Sequence, residues 1–398
     1  MKRIVILTPN YPPESGAAAL RIGAIAKGLH EAGWRVRVVT AMPHHPMGVI
    51  PPSFDAPKRY VRIEEGVEVV RLRPWIVPKD GLVKRLVSEA WFTVRTLRAV
   101  SSFEPDVVLA SSPYMFLGPW GRMVSRWVGA SFVWDVRDLT WLYPRSAGKR
   151  TWGADRVLAA WMRATARRAD GLMTTANGQM TYFEKRPALT LVAPNGVSRD
   201  RREALEQLAP PRFDSRVVLY AGLLGFNHGI NTLVEVARRL PSVTFRIAGD
   251  GPERGIVERA VREDGLSNVE LLGHLTGRDL LNAYEDASML ISIVRASPVN
   301  RWTQPSKLWE YMASGRPVVH AGEGEVPDLL AGTNTVTLAP AGDVTAIAEG
   351  IESILTHPGV ALDRAARARA YVRMHRDRHA IVDDIVTFLE TASNRKQP

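Results

Sequence analysis

The stretch "YAGLLGFNHGINTLVEV", residues 220 to 236, reads as one strand, one glycine-rich loop and one helix. An apolar run from Val217 ends at Gly222, and leucine and valine at helical spacing resume near Asn231. A strand that feeds a loop and then a helix is the unit of a parallel sheet, because parallel neighbours need a crossover connection. The unit recurs at "FRIAGDGPER", 245 to 254, where Gly249-Asp250-Gly251-Pro252 forms the turn.

Working outward, Val269 to Leu272, Met289 to Ile293 and Pro317 to His320 continue a C-terminal series of strands. Helices are predicted near Ile230 to Leu240 and Arg254 to Asp264. An N-terminal series precedes it: strands at Arg3 to Leu7, Arg35 to Thr40, Val67 to Arg71, Val107 to Ala110 and Phe132 to Val136. Its helices fall near Ala18 to Glu31, Leu82 to Val100 and Asp155 to Arg168. The fold class is therefore α/β, with two doubly wound domains in tandem. Such an arrangement is expected to place a ligand cleft between them, beyond the C-terminal strand ends.

The polar, proline-bearing stretch "PNGVSRDRREALEQLAPPRFD" from residue 194 interrupts the alternation as a hinge. The predicted boundaries are residues 1–195 for the first domain, 196–212 for a linker, 213–375 for the second domain and 376–398 for a final segment. Its helical part, Arg378 to Thr391, is expected to cross back onto the first domain.

The 398 residues include no cysteine, which excludes disulfides, thiolate metal sites and cysteine nucleophiles. A net charge of +11 suits nucleic acid, acidic lipid or nucleotide-sugar partners. No zinc-finger spacing or aromatic RNA-binding signature is present, so nucleic acid is not expected. The start "MKRIVIL" reads as a strand rather than a signal peptide, and no window approaches the roughly 20 apolar residues of a spanning helix. A cytoplasmic location is expected.

Candidate site residues lie on the loops after strands. In "TPNYPPESGAAALR", Gly16 and the alanines after it let backbone N–H groups approach a ligand, or else allow close helix packing. Gly222 opens the next such loop, where His228 is the polar side chain able to carry positive charge; a solvated histidine is the alternative. Gly249, Asp250, Gly251 and Pro252 suit a flat base or ribose. In "FVWDVRDLTW", Arg137, Asp138 and Trp141 offer a carboxylate and an indole for a sugar, unless Arg137 and Asp138 are a surface pair. In "PSKLWEYMASGRPVV", from residue 305, Ser306 and Lys307 start a helix. A cation there opposes the dipole by roughly 0.3 to 1 kcal/mol, which makes sense if an anion binds. Pairing of Lys307 with Glu310 at the surface is the alternative. The segment "WIVPKDGLVKRLVSEAWFTVRTLRAV" mixes Trp75 and Trp91 with Lys79, Lys84, Arg85 and Arg98, which fits an anionic bilayer or an ordinary amphipathic helix.

Together "YPPESGAAALR", "GLHEAGWRVRVVT", "PNGV", "YAGLLGFNHGINTLVEVA", "IAGDGPER" and "PSKLWEYMASGRPVV" resemble, in order and spacing, the retaining GT-B glycosyltransferases of family four. The likeness is greatest to the bacterial sugar transferases of colanic acid, O-antigen and capsule assembly. The resemblance implies a nucleotide diphosphate sugar held by the second domain, an acceptor held by the first, and no metal or other cofactor. By that likeness Gly16 approaches the sugar diphosphate, while Ser306, Lys307 and Arg295 hold its phosphates. Glu310 takes the ribose, Gly249 to Pro252 border the nucleoside, and Lys307 and Asp138 are the catalytic candidates. It also implies front-side attack, in which the leaving phosphate takes the acceptor proton, so no protein nucleophile is named. The family's usual first glutamate is Trp302 here, with Asn300, Thr303 and Gln304 as neighbouring substitutes. Its usual arginine is Leu223, and its usual lysine is His228. A nucleotide-sugar epimerase and a non-catalytic nucleotide-sugar-binding module are the competing functions.

Overall fold

The computed structural model describes the chain except residues 15, 45–47, 55–58, 77–81, 144–152 and 395–398, and except the side chains of 82, 83 and 85. The chain divides into two units. One comprises Met1–Asn195 with His379–Pro398, and the other Gly196–Arg378.

In the first unit, strands β1 (Arg3–Leu7), β2 (Arg35–Ala41), β3 (Arg59–Glu64), β4 (Val67–Leu72), β5 (Val107–Ser111), β6 (Ser131–Val136), β7 (Gly171–Thr174) and β8 (Thr190–Val192) form an eight-stranded sheet. Its order is β3-β4-β2-β1-β5-β6-β7-β8. Pairing is parallel throughout except between β3 and β4, which are antiparallel. The inner strands are nearly continuous Val/Ile/Leu runs because helices cover both faces. The charged β3 sits on an edge and escapes that pattern. The helices are α1 (Ala17–Glu31), α2 (Leu82–Arg95), α3 (Leu97–Ser101), α4 (Leu117–Val128), α5 (Ala154–Arg167) and α6 (Asn177–Tyr182). The single helix expected over Leu82 to Val100 is two. Thr93 and Thr96 turn their hydroxyls onto the carbonyls of Glu89 and Thr93, at 2.6 and 2.7 Å, and the chain tightens there.

In the second unit, helix α7 (Arg199–Glu206) occupies the segment read as a linker, and its Leu205 lies in a hydrophobic cluster with Leu308, Tyr311 and Val372. The sheet β9 (Val217–Ala221), β10 (Thr244–Ala248), β11 (Val269–Gly273), β12 (Met289–Ile293), β13 (Val318–Ala321) and β14 (Thr337–Ala339) is parallel in the order β11-β10-β9-β12-β13-β14. The order reverses between β9 and β12, the switch point where open α/β sheets bind ligands. Helices α8 (Ile230–Arg239), α9 (Arg254–Arg262), α10 (Gly277–Asp286), α11 (Ser306–Ala313), α12 (Glu325–Leu330), α13 (Val344–Thr356) and α14 (Pro358–His375) complete it.

The last helix, α15 (Arg378–Asn394), returns to the first unit, where Val382, Ile385, Phe388 and Leu389 join the core of α1 and β1. Gly28 on α1 permits this: a Cβ there would run into Cγ1 of Val382. Gly28→Ala is expected to cost about 1 to 3 kcal/mol by overpacking, seen as a lower midpoint in thermal or urea unfolding.

Candidate functional site

The switch point of the second sheet is built from glycines. β9 ends at Ala221, and the loop from Gly222 runs to Gly229, whose positive φ of 59° starts α8 in a left-handed conformation. The turn at Gly249 and Gly251 packs straight onto this loop: a Cβ on either would strike the carbonyl oxygen of Gly222 or of Leu224. Gly251 N–H donates to its neighbour Asp250 at 2.7 Å, which closes the turn.

Helix α11 is pinned to this loop by Tyr311. Its hydroxyl donates to the carbonyl of Ala221 and accepts from the same residue's N–H, both at 2.7 Å. One turn earlier on the helix, Lys307 therefore lies over Gly222, whose missing side chain leaves room: a Cβ would stand 3.1 Å from Nζ. Nζ donates to the Tyr220 hydroxyl at 2.6 Å and sits 3.9 Å from that ring's centroid. Tyr220 in turn donates to the carbonyl of Leu223 at 2.7 Å. Burial pushes Lys307 down to about 7. The surface Lys307–Glu310 pair allowed by the sequence is thus not formed. Ser306 opens the helix behind Pro305, which provides no side-chain cap.

His228 differs from its expected character. Burial, and secondarily the charge on Lys307, pushes it down to about 3, so it is neutral rather than cationic. Its Nδ1 is buried without a hydrogen-bond partner among the described residues. The same two causes push His320 on β13 down to about 4. Arg295, expected as a phosphate cation, lies 4.0 Å over the Phe226 ring and 3.5 Å from Glu253. Oε2 of Glu253 is buried and unpartnered among the described residues, an acceptor that sequence reasoning missed.

Glu310 is held by Arg201 of α7, whose Nε donates to Oε1 at 2.5 Å and whose Nη2 meets the same oxygen. Arg201 also lies over the Tyr284 ring at 5.6 Å. Among the described residues only Oε1 of Glu310 is engaged. Asn300 and Gln304, offered as substitutes for the glutamate replaced by Trp302, are committed elsewhere. Asn300 donates to the carbonyl of Arg295 at 2.8 Å, and Gln304 bridges Glu325 and Arg376. Thr303 donates to the carbonyl of Val299 at 3.5 Å.

The other candidates lie in the first unit. Gly16 caps α1 with nothing within 4 Å of where a Cβ would stand. Arg137 and Trp141 depart from the expected ligand-facing roles. Arg137 is buried, with Nε and Nη2 donating to the carbonyl of Ser112 at 2.9 and 2.5 Å. Trp141 is buried on Trp134 at a centroid distance of 5.9 Å and donates to the Tyr182 hydroxyl, so it has no free stacking face. An indole completes a core more readily than it waits in solvent. Asp138 is only partly exposed; burial pushes its carboxyl up, against the pull of Arg137, and Tyr143 donates to it at 3.5 Å. Among the described residues, no group of three or more His, Asp or Glu side chains could hold a metal ion.

Two doubly wound sheets, parallel but for the β3 edge, with glycine loops and a partly buried cation at the switch point of the second, have the architecture of a GT-B protein. Residues 16–196 match the family model described as "Glycosyl transferase 4-like domain", and residues 215–357 match "Glycosyl transferases group 1". The chain belongs to this group 1, 4-like family of GT-B glycosyltransferases and is an enzyme of that class. It is similar to the Escherichia coli (strain K12) protein named as a colanic acid biosynthesis glycosyl transferase, WcaI, at 28% identity over 342 residues, covering 81% of this chain and 83% of that one. The sucrose-phosphate synthase of Thermosynechococcus elongatus shares the fold at a TM-score of 0.78 and 19% identity, covering 98% of this chain and 99% of that one. Anabaena Alr3699/HepE, solved in complex with UDP and glucose, does so at 0.70 and 19%, covering 98% and 100%.

Proposed function

We propose that this enzyme transfers a sugar, with retention of anomeric configuration, from a UDP-linked hexose or N-acetylhexosamine to a lipid-linked or saccharide acceptor in polysaccharide or glycoconjugate biosynthesis. It works without a metal or other cofactor, in the cytoplasm and peripherally on an anionic membrane surface. The observation behind this reading is the Lys307 ammonium held over Gly222 at the switch point, where a diphosphate leaving group needs charge neutralisation. The partly buried, neutral His228 adds a hydrogen-bonding group beside it. Ser306 and the first N–H groups of α11 complete the anion site, and Oε2 of Glu310 takes the ribose hydroxyls. The partly buried Asp138, its carboxyl pushed up, receives the acceptor hydroxyl. The name of WcaI supports a polysaccharide role, and the UDP and glucose of Alr3699/HepE support the donor class.

The test incubates the protein with labelled UDP-sugars, with and without lipid-diphosphate acceptors, and with EDTA added to a parallel set. Acceptor-dependent transfer that survives EDTA is expected. Free sugar or epimer formed without acceptor points to the epimerase, and donor binding without turnover to a non-catalytic module.

A further inference from the structure

The first unit exposes apolar side chains in a repeated pattern that the transfer chemistry does not use. Helix α4 packs against both α2 and α5, so the three helices lie side by side. Each shows solvent an apolar pair one turn apart: Val87 and Trp91 on α2, Met123 and Trp127 on α4, Val157 and Trp161 on α5. Residues four apart share a helix face, so each pair forms a stripe. The exposures are large: 56% for Trp91, 68% for Trp127 and 73% for Val157. The opposite sides of the same helices, with Phe92, Val124 and Met162, are buried in the unit.

Basic residues flank every stripe. Lys84, Arg126, Arg156 and Arg163 are exposed, Arg122 is partly so, and Arg95 lies 5.9 Å over the Trp91 ring. The acidic residues on these helices are Glu89, which is buried, and Asp155. Interleaved indoles and arginines on a face nearly free of carboxylates complement a lipid headgroup layer, where tryptophan settles at the interface and arginine meets phosphate. A second copy of this face would bring the same arginine rows against each other. No helix among the described residues is long and apolar enough to cross a membrane, so the contact stays on the surface.

We propose that the outer sides of α2, α4 and α5 together dock on an anionic bilayer, with Trp91, Trp127 and Trp161 as the inserted anchors. The idea gives the proposed peripheral membrane location its surface, and extends it beyond the segment at 75–100. Of that segment, Trp75, Lys84, Trp91 and Arg98 are exposed, while Lys79 and the side chain of Arg85 lie outside the described residues. It rests on that reading for its purpose and not for its evidence.

The experiment is sedimentation of the full chain with phosphatidylglycerol–phosphatidylcholine vesicles and with phosphatidylcholine alone, at low and high salt. Preferential binding to the anionic vesicles, weakened by salt, is expected, since each basic residue adds to binding only within a screening length. Trp127→Ser with Trp161→Ser, and separately Arg122→Glu with Arg126→Glu, should each lower partitioning at least tenfold at an unchanged unfolding midpoint. If the tryptophan pair fails to fold, the surface arginine pair decides alone. Wild-type partitioning of both variants, equal binding to neutral vesicles, or a salt-stable dimer abolished by the same changes would overturn the proposal. Transfer to a soluble acceptor should persist in both variants, so failure of docking and failure of the transferase reading are separable.

Discussion

Replacing Lys307 with alanine is expected to lower turnover about 100-fold or more, because loss of one preorganised charge at a leaving group costs on the order of 3 kcal/mol. The fold should survive, since Tyr311, not Lys307, pins α11 to β9. The free enzyme's kcat/KM for donor should fall as pH rises through about 7, where Lys307 loses its proton. Stability should move the opposite way. The folded pKa lies below the unfolded one, so the unfolded chain holds this proton more tightly. The resulting penalty is fully present below pH 7 and disappears as pH rises toward 10.5. Lys307→Met should therefore raise the thermal midpoint at neutral pH, with the gain shrinking towards pH 10, while turnover collapses. A variant with near wild-type turnover would remove Lys307 from the site.

Glu310→Gln is expected to raise the donor KM about tenfold to a hundredfold while saturated turnover changes little, since ribose contacts hold ground state and transition state alike. One hydrogen bond to a charged group, worth roughly 1.5 to 3 kcal/mol, sets that scale. Arg201→Ala should shift KM in the same direction, because Arg201 grips Oε1 and aims the rest of the carboxylate. Steady-state kinetics across donor concentrations checks both. A collapse of kcat at constant KM would remove the ribose role from Glu310 and move it into the chemical step.

The legible parts of the site were those written in local pattern. Gly222, Gly249 and Gly251 stand where a strand must turn into a helix, which a sequence can announce; Gly249 and Gly251 let backbone approach backbone, and Gly222 leaves room for the Lys307 side chain. Lys307 was conspicuous because it opposes a helix dipole. His228 reads in the sequence as a possible cation, whereas burial beside Lys307, a property of packing, leaves it neutral. Trp141 and Arg137 misled for a related reason: their stretch ends a strand, yet the indole turns inward onto Trp134 and the guanidinium onto the carbonyl of Ser112.

By itself the sequence determined the alternation of strand and helix, hence two doubly wound, mainly parallel sheets and the loops where a ligand site belongs. These follow from periodicities that repeat within a few residues. Only the tertiary structure decided that Lys307 meets Tyr220, 87 positions away, and that Glu310 meets Arg201, 109 positions away. It also decided which faces of α2, α4 and α5 look outward together. Such pairings depend on strand order and on which side of the sheet each helix takes, and two loops with the same local pattern can end beside different neighbours.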